Sequence, residues 1–287
     1  QVRWNAAQCY RDRLCGFGSE TGFDCQGNGA YRQIHGGCDI EAPVVGRGSD
    51  VSDFFDPENV TNINYTYYKQ TTILRRIERR LVITHNRNLR EYVTFLNNNP
   101  EEAKLLAKEV LIGVTSFFRD PEYFDVLKET CIRQLVKDVP KDRQIRIWVA
   151  GCSTGEEAYS IAILFSEVME ELNIRRNVKI FATDLDADSI STAVRGVYGD
   201  NIIEDVSVAR LSRFFSRKGN KYVIHHDIRK MIIFAQHNVF QDPPFGKLDL
   251  ICCRNVLIYF QSVLQRNLFT IFHMALNDHG YLFLGRS

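Results

Sequence analysis

The sequence of 287 residues predicts an α/β fold, in which helices cover a mostly parallel sheet. Three strand patterns predict it: Ile145–Ala150, Val178–Asp184 and Leu248–Cys253 are short, largely apolar runs of the kind buried in parallel sheets. Helical patterns separate these runs, and such alternation is typical of a doubly wound sheet. The first run ends in a turn containing Gly151 and Gly155. Because ligands bind where the strands of such a sheet end, this turn is the first candidate site.

Residues 1–61 do not share this organisation. Half of the 18 glycines and four of the eight cysteines lie before residue 50, and no helical or alternating period persists there. We interpret this part as an irregular, flexible leader, because glycine-rich stretches of this kind form loops. A small disulfide module is the alternative, and it requires an oxidising compartment.

An all-α domain is predicted for residues 62–135. It opens on a basic amphipathic helix from Lys69 to Leu81, in which Ile73, Ile77 and Leu81 recur every four residues on the inner side. Helical patterns follow at 89–96 and 100–114, then a connector and a helix ending near residue 135. The arginines of the first helix are predicted to form a positive patch outside the apolar stripe: Arg75, Arg76, Arg79 and Arg80. Such a patch suits an acidic partner surface, although a charge run is usually just a solvated helix face.

The α/β domain is predicted for residues 136–287, and its glycine turn indicates the kind of ligand. A phosphate-binding turn offers backbone amides and the positive end of a helix to an anion. Here Glu156 and Glu157 occupy the first helical turn, where they would repel a pyrophosphate. Acids at this position also suit a helix N-terminus without any ligand. The functional interpretation is a pocket for a positively charged adenosine compound without phosphate, a description that S-adenosylmethionine fits.

Later strands deliver polar residues to the same edge of the sheet. Asp184 ends the second strand, where an acid can accept hydrogen bonds from both ribose hydroxyls, although it can equally cap the following helix. Asn238 and Asn255 follow two later strands. The other patterns are a helix at 210–215, short strands at 222–224 and 231–234, a helix at 261–276 and a final strand at 281–284.

Composition argues against several classes of function. A net charge of +1 gives no global field for nucleic acid, and no apolar run approaches the length of about 20 residues needed to cross a bilayer. No Cys-x-x-Cys pair occurs, so neither a metal site nor a thioredoxin-like centre is expected. Cys152 lies near a helix N-terminus, but we interpret it as a small packing residue. We therefore expect a cytoplasmic protein.

A series of motifs resembles the bacterial chemoreceptor glutamate methyltransferases, the CheR family. The resemblance begins near residue 62 and extends to the end of the chain. The motifs are Tyr68-Lys69 with Leu74–Arg80, Val114–Asp120, Ala150–Glu157, Ala182–Asp184 and Cys253–Phe260. This resemblance implies an all-α domain docked on a Rossmann-like S-adenosylmethionine-dependent methyltransferase domain with a small antiparallel β insertion. It implies methyl transfer from S-adenosylmethionine to glutamates of chemotaxis receptors, and we expect a monomer.

The resemblance also implies roles for individual residues. Thr115 and Arg119 would contact the methionyl end of the cofactor, Glu157 would lie near its ammonium group, and Asp184 would hold the ribose. The other implied cofactor residues are Gly151, Asn238, Val239, Arg254 and Asn255. Tyr259 would face the substrate glutamate, and Arg119 would help to orient its carboxylate. The basic helix would meet the acidic coiled coil of a receptor.

Some features depart from the family pattern. Gly113 stands where the family often has asparagine, and residues 1–60 have no recognised counterpart. The family usually continues beyond the position of Ser287, so we expect either a chain shortened at this end or a piece of a longer, multidomain protein. Two alternatives stay open: a catalytically weak cofactor-binding signalling module, and a methyltransferase for another acceptor. An NAD-dependent dehydrogenase is disfavoured, because acids stand where its phosphates would bind.

Overall fold

The computed structural model describes residues 3–4, 64, 67–111 and 113–285. The chain forms a six-stranded central sheet, a three-stranded antiparallel sheet and a helical lobe packed against the central sheet. The predicted α/β class, with an antiparallel insertion and a preceding all-α part, is confirmed. Apart from a two-residue strand, β1 (Arg3–Trp4), the predicted leader lies outside the described residues.

The elements follow the predicted order. The α-helices of the described residues are α1 (Gln70–Ile83), α2 (Leu89–Asn98), α3 (Pro100–Val110), α4 (Pro121–Leu127), α5 (Arg133–Asp138), α6 (Glu156–Glu171), α7 (Ala187–Arg195), α8 (Val208–Phe214), α9 (His226–Arg229) and α10 (Ser262–Ala275). The strands are β2 (Ile145–Ala150), β3 (Val178–Asp184), β4 (Val197–Gly199), β5 (Phe215–Lys218), β6 (Lys221–Ile224), β7 (Ile232–Gln236), β8 (Leu248–Cys253) and β9 (Leu276–Leu284). The three strand patterns that predicted the fold coincide with β2, β3 and β8.

The order of strands in the central sheet creates the crevice for a ligand. That order is β1-β9-β8-β2-β3-β7, and all neighbours are parallel. From β2 the chain runs outward through β3 to β7, then returns to β8 and β9 on the other side of β2. The connections therefore diverge beside β2, which is the position where open α/β sheets bind ligands.

The helical lobe, α1 to α3, forms because each helix buries one apolar face. Ile73, Ile77 and Leu81 of α1 are buried, as the spacing predicts. The side chain of Asn88 caps α2 by accepting a hydrogen bond from the backbone N–H of Glu91 at 2.9 Å. The core of the lobe continues into the sheet layer, where its apolar partners include Trp148, Leu268 and Phe272. The lobe therefore shares one core with the sheet and lies over its carboxyl edge.

The connector between lobe and sheet, residues 113–120, is held in an unusual conformation. Phe118 and Asp120 take positive φ angles of 49° and 59°, which are uncommon for residues other than glycine. The backbone N–H of Phe118 donates to the hydroxyl of Ser160 in α6, at 3.0 Å. After the connector, α4 continues through a π-helical turn, Lys128–Ile132, into α5. Packing therefore overrides the local preference of these residues.

The antiparallel insertion, strands β4-β6-β5, braces this connector. The ring of Phe117 makes edge contacts with Tyr198 of β4 and Phe215 of β5, at centroid distances of 4.8 and 5.5 Å. The guanidinium of Arg210, from α8, lies 4.1 Å from the ring centre of Phe118. The insertion therefore contacts two consecutive residues of the connector.

Candidate functional site

A cavity opens at the carboxyl edge of the central sheet, beneath the helical lobe. Every residue that the resemblance assigns to cofactor or substrate lines it: Thr115, Arg119, Gly151, Glu157, Asp184, Asn238, Val239, Arg254, Asn255 and Tyr259. These residues come from the connector, from the turn and helix after β2, and from the segments that follow β3, β7 and β8. The fold thus brings together residues that are distant in the chain, while the role of each stays a prediction.

The two glycines of the turn are required by its geometry. Gly151 has φ of 76°, and a Cβ atom there would lie 2.4 Å from a methyl carbon of Val256. Gly155 has φ of 96°, and a Cβ atom there would lie 2.9 Å from Cβ of Ala193. Both positions therefore combine a left-handed backbone with close approach of a neighbouring side chain. The turn passes tightly between the segment after β8 and helix α7.

Asp184 accepts two backbone hydrogen bonds at the floor of the cavity. Its Oδ2 accepts from the N–H of Ser153 at 2.8 Å, and its Oδ1 accepts from the N–H of Asp186 at 3.0 Å. Burial raises the pKa of the Asp184 carboxyl, and these N–H groups oppose that rise. Asp186, whose side chain accepts from the N–H of Asp188, caps α7. Each oxygen of Asp184 keeps capacity for a further donor, as two ribose hydroxyls require.

Glu157 presents an acid to the cavity, and the preceding acid does not. Glu156 accepts a hydrogen bond from the hydroxyl of Thr154, at 2.7 Å to one carboxylate oxygen, and is not among the lining residues. The side chain of Glu157 is 15% exposed and lies 3.3 Å from Nη1 of Arg254. Burial raises the pKa of Glu157 to about 6, against the opposing effect of Arg254 and Arg119. This carboxylate suits a cationic group of a ligand.

The connector forms one side of the cavity through Thr115 and Arg119. Both residues are half-buried. Nη1 of Arg119 donates to the carbonyl oxygen of Val114 at 2.9 Å, which folds the side chain back along the connector. Val114 itself is exposed and also lines the cavity. A cation and an exposed apolar side chain of the connector thus both line the cavity.

The segment after β7 forms the opposite side. The backbone N–H of Asn238 donates to Asp242 at 2.7 Å, and its side-chain oxygen accepts from the N–H of Phe240 at 3.0 Å. Val239, between them, is half-buried and lines the cavity. These hydrogen bonds fix a turn whose small apolar side chain suits a flat aromatic ligand.

The segment after β8 carries Asn255 and Tyr259. Asn255 takes a positive φ of 54°, which asparagine tolerates better than most residues. A Cβ atom at Gly285 would lie 2.9 Å from the backbone nitrogen of Asn255, so this segment passes close to the end of β9. Tyr259 is half-buried at the cavity wall.

The chain before α1 contributes a wall that the sequence reasoning missed. The backbone N–H of Lys69 donates to the carbonyl oxygen of Tyr259 at 2.8 Å, and the carbonyl of Tyr67 accepts from the N–H of Gln261 at 3.1 Å. We call this pairing of residues 67–69 with 259–261 the clasp. Aromatic rings reinforce it and line the cavity: Tyr67, Tyr68, Phe240 and Phe260. The Tyr68-Lys69 motif was the available signal, but it carries no information about its partner.

The basic helix differs from its prediction at one position. Arg79 is exposed and Arg75 lies on the same outer surface, while Arg76 is half-buried. Arg80 is buried: its guanidinium contacts Glu102 at 2.6 and 2.8 Å and Glu109 at 3.2 Å. The prediction that Arg80 belongs to an exposed patch is therefore wrong, because Arg80 lies on the inner side with Ile77 and Leu81.

Three further observations concern membrane spans, metal sites and Cys152. Among the described residues, no helix is long and apolar enough to cross a membrane. Nor do those residues bring together three or more His, Cys, Asp or Glu side chains in an arrangement that holds a metal ion. Cys152 is buried, and burial raises the pKa of its thiol well above the ordinary value. This agrees with the packing role predicted for it.

Comparison with known families identifies the fold and its ligand. Residues 113–287 match the model of the CheR methyltransferase SAM-binding domain, and residues 58–111 match that of the CheR methyltransferase all-alpha domain. The chain belongs to the CheR methyltransferase family. Its α/β domain is therefore an S-adenosylmethionine-binding methyltransferase domain, and the cavity at its carboxyl edge is the candidate site for this cofactor.

Individual relatives of this CheR family member fall into two groups. Over 225 residues it is 43% identical to an uncharacterised 104.1 kDa protein of Rhodobacter capsulatus, covering 78% of this chain and 24% of that protein. It is 33% identical to a chemotaxis protein methyltransferase of Borreliella burgdorferi, covering 80% of this chain and 83% of the relative. It is 31% identical to chemotaxis protein methyltransferase 2 of Vibrio cholerae, covering 79% and 80%. The chain thus spans about a quarter of one relative and most of the others.

Proposed function

We propose that this chain transfers a methyl group from S-adenosylmethionine to glutamate side chains of chemotaxis receptors, producing glutamate methyl esters in the cytoplasm. The observation that carries the proposal is that all the residues predicted for cofactor or substrate line one cavity. Relatives named chemotaxis protein methyltransferases, which this chain matches over most of their length, support the choice of substrate. The proposal therefore combines a cofactor site with a substrate class.

The proposed reaction requires no catalytic base. A glutamate carboxylate is ionised near neutral pH and is already a nucleophile. When bound, S-adenosylmethionine supplies a methyl group activated by a sulfonium. A substrate oxygen forms the new O–C bond while the S–C bond breaks; the electron pair stays on sulfur, and no proton moves. The task of the protein is alignment and partial exclusion of water.

The cavity residues suit these tasks. In the proposal, Asp184 accepts hydrogen bonds from the ribose, and Glu157 faces the ammonium group of the methionyl end. Asn238 and Val239 flank the adenine, with Gly151 and Asn255 closing the pocket. Thr115 and Arg119 reach in from the connector. Arg119 and Tyr259 orient the substrate carboxylate, but a tight hold on the anion would lower its reactivity.

The proposed receptor surface is the exposed side of α1. Its exposed cations are Arg75 and Arg79, with the half-buried Arg76 beside them, and Arg80 is excluded because its charge is buried against Glu102. Acidic coiled-coil helices of a receptor match such a surface in charge. Replacing Arg75 and Arg79 together with glutamate is expected to raise the KM for a receptor fragment and leave the affinity for S-adenosylhomocysteine unchanged.

The test uses purified protein, tritiated S-adenosylmethionine and receptor cytoplasmic fragments. We expect label on the fragment that mild base releases as methanol, because carboxyl esters hydrolyse and methylated amines do not. A fragment with glutamine at the acceptor positions is the matched control and should take up no label. Base-stable label would instead indicate another acceptor. Absence of S-adenosylhomocysteine binding in calorimetry would refute the cofactor assignment itself.

A second candidate function is supported by one observation. The 43% identical relative is far longer than this chain, which covers 24% of it. The chain can therefore belong to a multidomain protein in which the pocket binds the cofactor as a signal, with weak catalysis. Tight binding of S-adenosylhomocysteine, combined with no methylation of any receptor fragment, would favour this alternative.

A further inference from the structure

Arg254 lies at the cavity, yet its side chain does not face it. The side chain is 0% exposed. Its guanidinium lies 5.0 Å from the ring centres of both Phe124 and Phe283, two rings that contact each other edge to face at 6.0 Å. Cation–π contacts of this kind are strongest where water is excluded. A ligand in the cavity therefore meets at most the backbone of this residue.

Two of the three guanidinium nitrogens of Arg254 bind other parts of the protein, while Nε is buried without a hydrogen-bond partner among the described residues. Nη2 donates to the carbonyl oxygen of Arg119 at 2.8 Å and to the carboxylate of Asp120 at 3.0 Å. Nη1 donates to Oε2 of Glu157 at 3.3 Å. One buried cation thus ties the segment after β8 to the connector and to the first turn of α6. Such a charge is tolerated because carboxylates face it on two sides.

We propose that Arg254 is a positioning residue: it holds the connector in place and keeps Glu157 ionised, without touching the cofactor. This differs from the direct cofactor contact that the family resemblance implies. The proposal has two halves. In the connector half, Arg254 fixes the positions of Thr115 and Arg119, because it holds the connector backbone, which is strained at Phe118 and Asp120. The Glu157 half rests on the proposed function, in which that carboxylate meets a cationic group.

The charges around Glu157 explain why Arg254 matters for it. Burial favours the neutral acid, and among the described residues the cations that favour the carboxylate are Arg254 and Arg119. The other titratable groups that face it are thiols of Cys152, Cys252 and Cys253, whose pKa values burial raises, so they stay neutral. Arg254 is the larger of the two opposing influences. Without it, Glu157 would take up a proton at higher pH.

The direct test is titration of Glu157 in the ligand-free protein, followed through the side-chain carboxyl signals of carbon-13-labelled glutamate. The signal is assigned by its loss in Glu157→Gln. We expect a midpoint near 6 in the wild type and a rise of about one unit or more in Arg254→Met, since a nearby opposite charge typically lowers a carboxyl pKa by about 1 to 3 units. Arg266→Met, at an exposed arginine of α10, is the matched control and should leave the midpoint unchanged. An unshifted midpoint in Arg254→Met would overturn the proposal.

Binding of S-adenosylhomocysteine, measured by calorimetry across pH, tests the same point with a ligand. For Arg254→Met, part of the lost affinity should return between pH 7 and about 8.5, as Glu157 ionises again. A direct contact predicts an equal loss at every pH, and that result would overturn the proposal. If the wild type does not bind S-adenosylhomocysteine, the proposed function fails, while the ligand-free titration still decides the positioning role.

Arg254→Lys separates the connector role from the Glu157 role, and it replaces the methionine variant if that variant does not fold. Lysine keeps the positive charge but lacks the fork that reaches Arg119, Asp120 and Glu157 together. We expect a midpoint closer to the wild type and a clear loss of S-adenosylhomocysteine affinity at every pH, because the connector loses its anchor. Wild-type affinity in Arg254→Lys would overturn the connector half.

Discussion

Replacing Arg80 with methionine is expected to destabilise the helical lobe by about 3 to 5 kcal/mol, the range found when one partner of a buried ion pair is removed. Two short hydrogen bonds join the ion pair: Nε and Nη2 of Arg80 lie 2.8 and 2.6 Å from the oxygens of Glu102. The two side chains are only 10% and 5% exposed. After the change, Glu102 keeps one donor in this network, the hydroxyl of Tyr92 at 2.8 Å. Methionine retains the apolar stem, so the loss comes mainly from the unpaired charge.

The assay is urea unfolding followed by circular dichroism, with Arg79→Met as the matched control. Arg79 is on the same helix, but its side chain is 63% exposed and its nitrogen lies 3.9 Å from Glu109, so we expect a change of about 1 kcal/mol or less. Adding Glu102→Gln to Arg80→Met removes the buried charge and should restore part of the stability. Equal effects of the two single variants would refute the assignment of Arg80 to the core, and no recovery in the double variant would refute the unpaired charge as its cause.

Three further predictions concern the cavity. Because Glu157 has a pKa of about 6, binding that requires its ionised form should be steady above pH 7 and about tenfold weaker at pH 5; calorimetry with S-adenosylhomocysteine that shows no decline would contradict this. Asp184→Ala should lower that affinity at least about tenfold, since two acceptor oxygens are lost, and an unchanged affinity would remove Asp184 from the ribose site. Gly155→Ala should lower the free energy of unfolding by about 1 to 3 kcal/mol, because φ is 96° and the new Cβ meets α7. Chemical denaturation measures this loss, and an unchanged stability would mean that the turn relaxes freely.

The pKa of Glu157 also bears on the ligand-free protein. A folded-state value near 6 lies above the ordinary value of 4.5, so the native state holds the proton more tightly than the unfolded chain. The contribution of this group to stability is therefore present below about pH 4.5 and declines as the pH rises to 6. The free energy of unfolding contributed by Glu157 therefore falls by about 2 kcal/mol between low and high pH. A cationic ligand opposes this destabilisation, so its binding and the ionisation of Glu157 reinforce one another.

The elements of the fold follow from local patterns, and for that reason the sequence predicts them. The apolar runs of β2, β3 and β8 are uninterrupted because these strands are buried on both faces. Arg80 is an exception, although the same rules cover it. It stands three residues after Ile77, next to Leu81, so the helical period already places it on the inner side. A four-residue spacing alone was too narrow a description of that face.

Other features depend on contacts between distant parts of the chain, and no local pattern contains them. Arg254 and Asp120 are 134 positions apart. The motif around Arg254 predicts that this residue lies at the pocket, but it does not indicate whether the side chain faces the ligand or the core. The ion pair between Lys108 of the lobe and Asp188 at the start of α7 joins exposed residues with no sequence signal. The clasp likewise depends on backbone atoms, whose partners side-chain patterns do not reveal.

The clasp has a mechanical consequence. The helical lobe is joined to the rest of the protein at both of its ends: residues 67–69 pair with the segment after β8, and the connector at 113–120 is held by Ser160, Arg210 and Arg254. A lobe attached at one end can swing open like a hinged cover. A lobe attached at both ends is more strongly restrained, because opening it requires one attachment to break. Since the clasp pairs Lys69 with the carbonyl oxygen of Tyr259, opening at that end would also displace Tyr259.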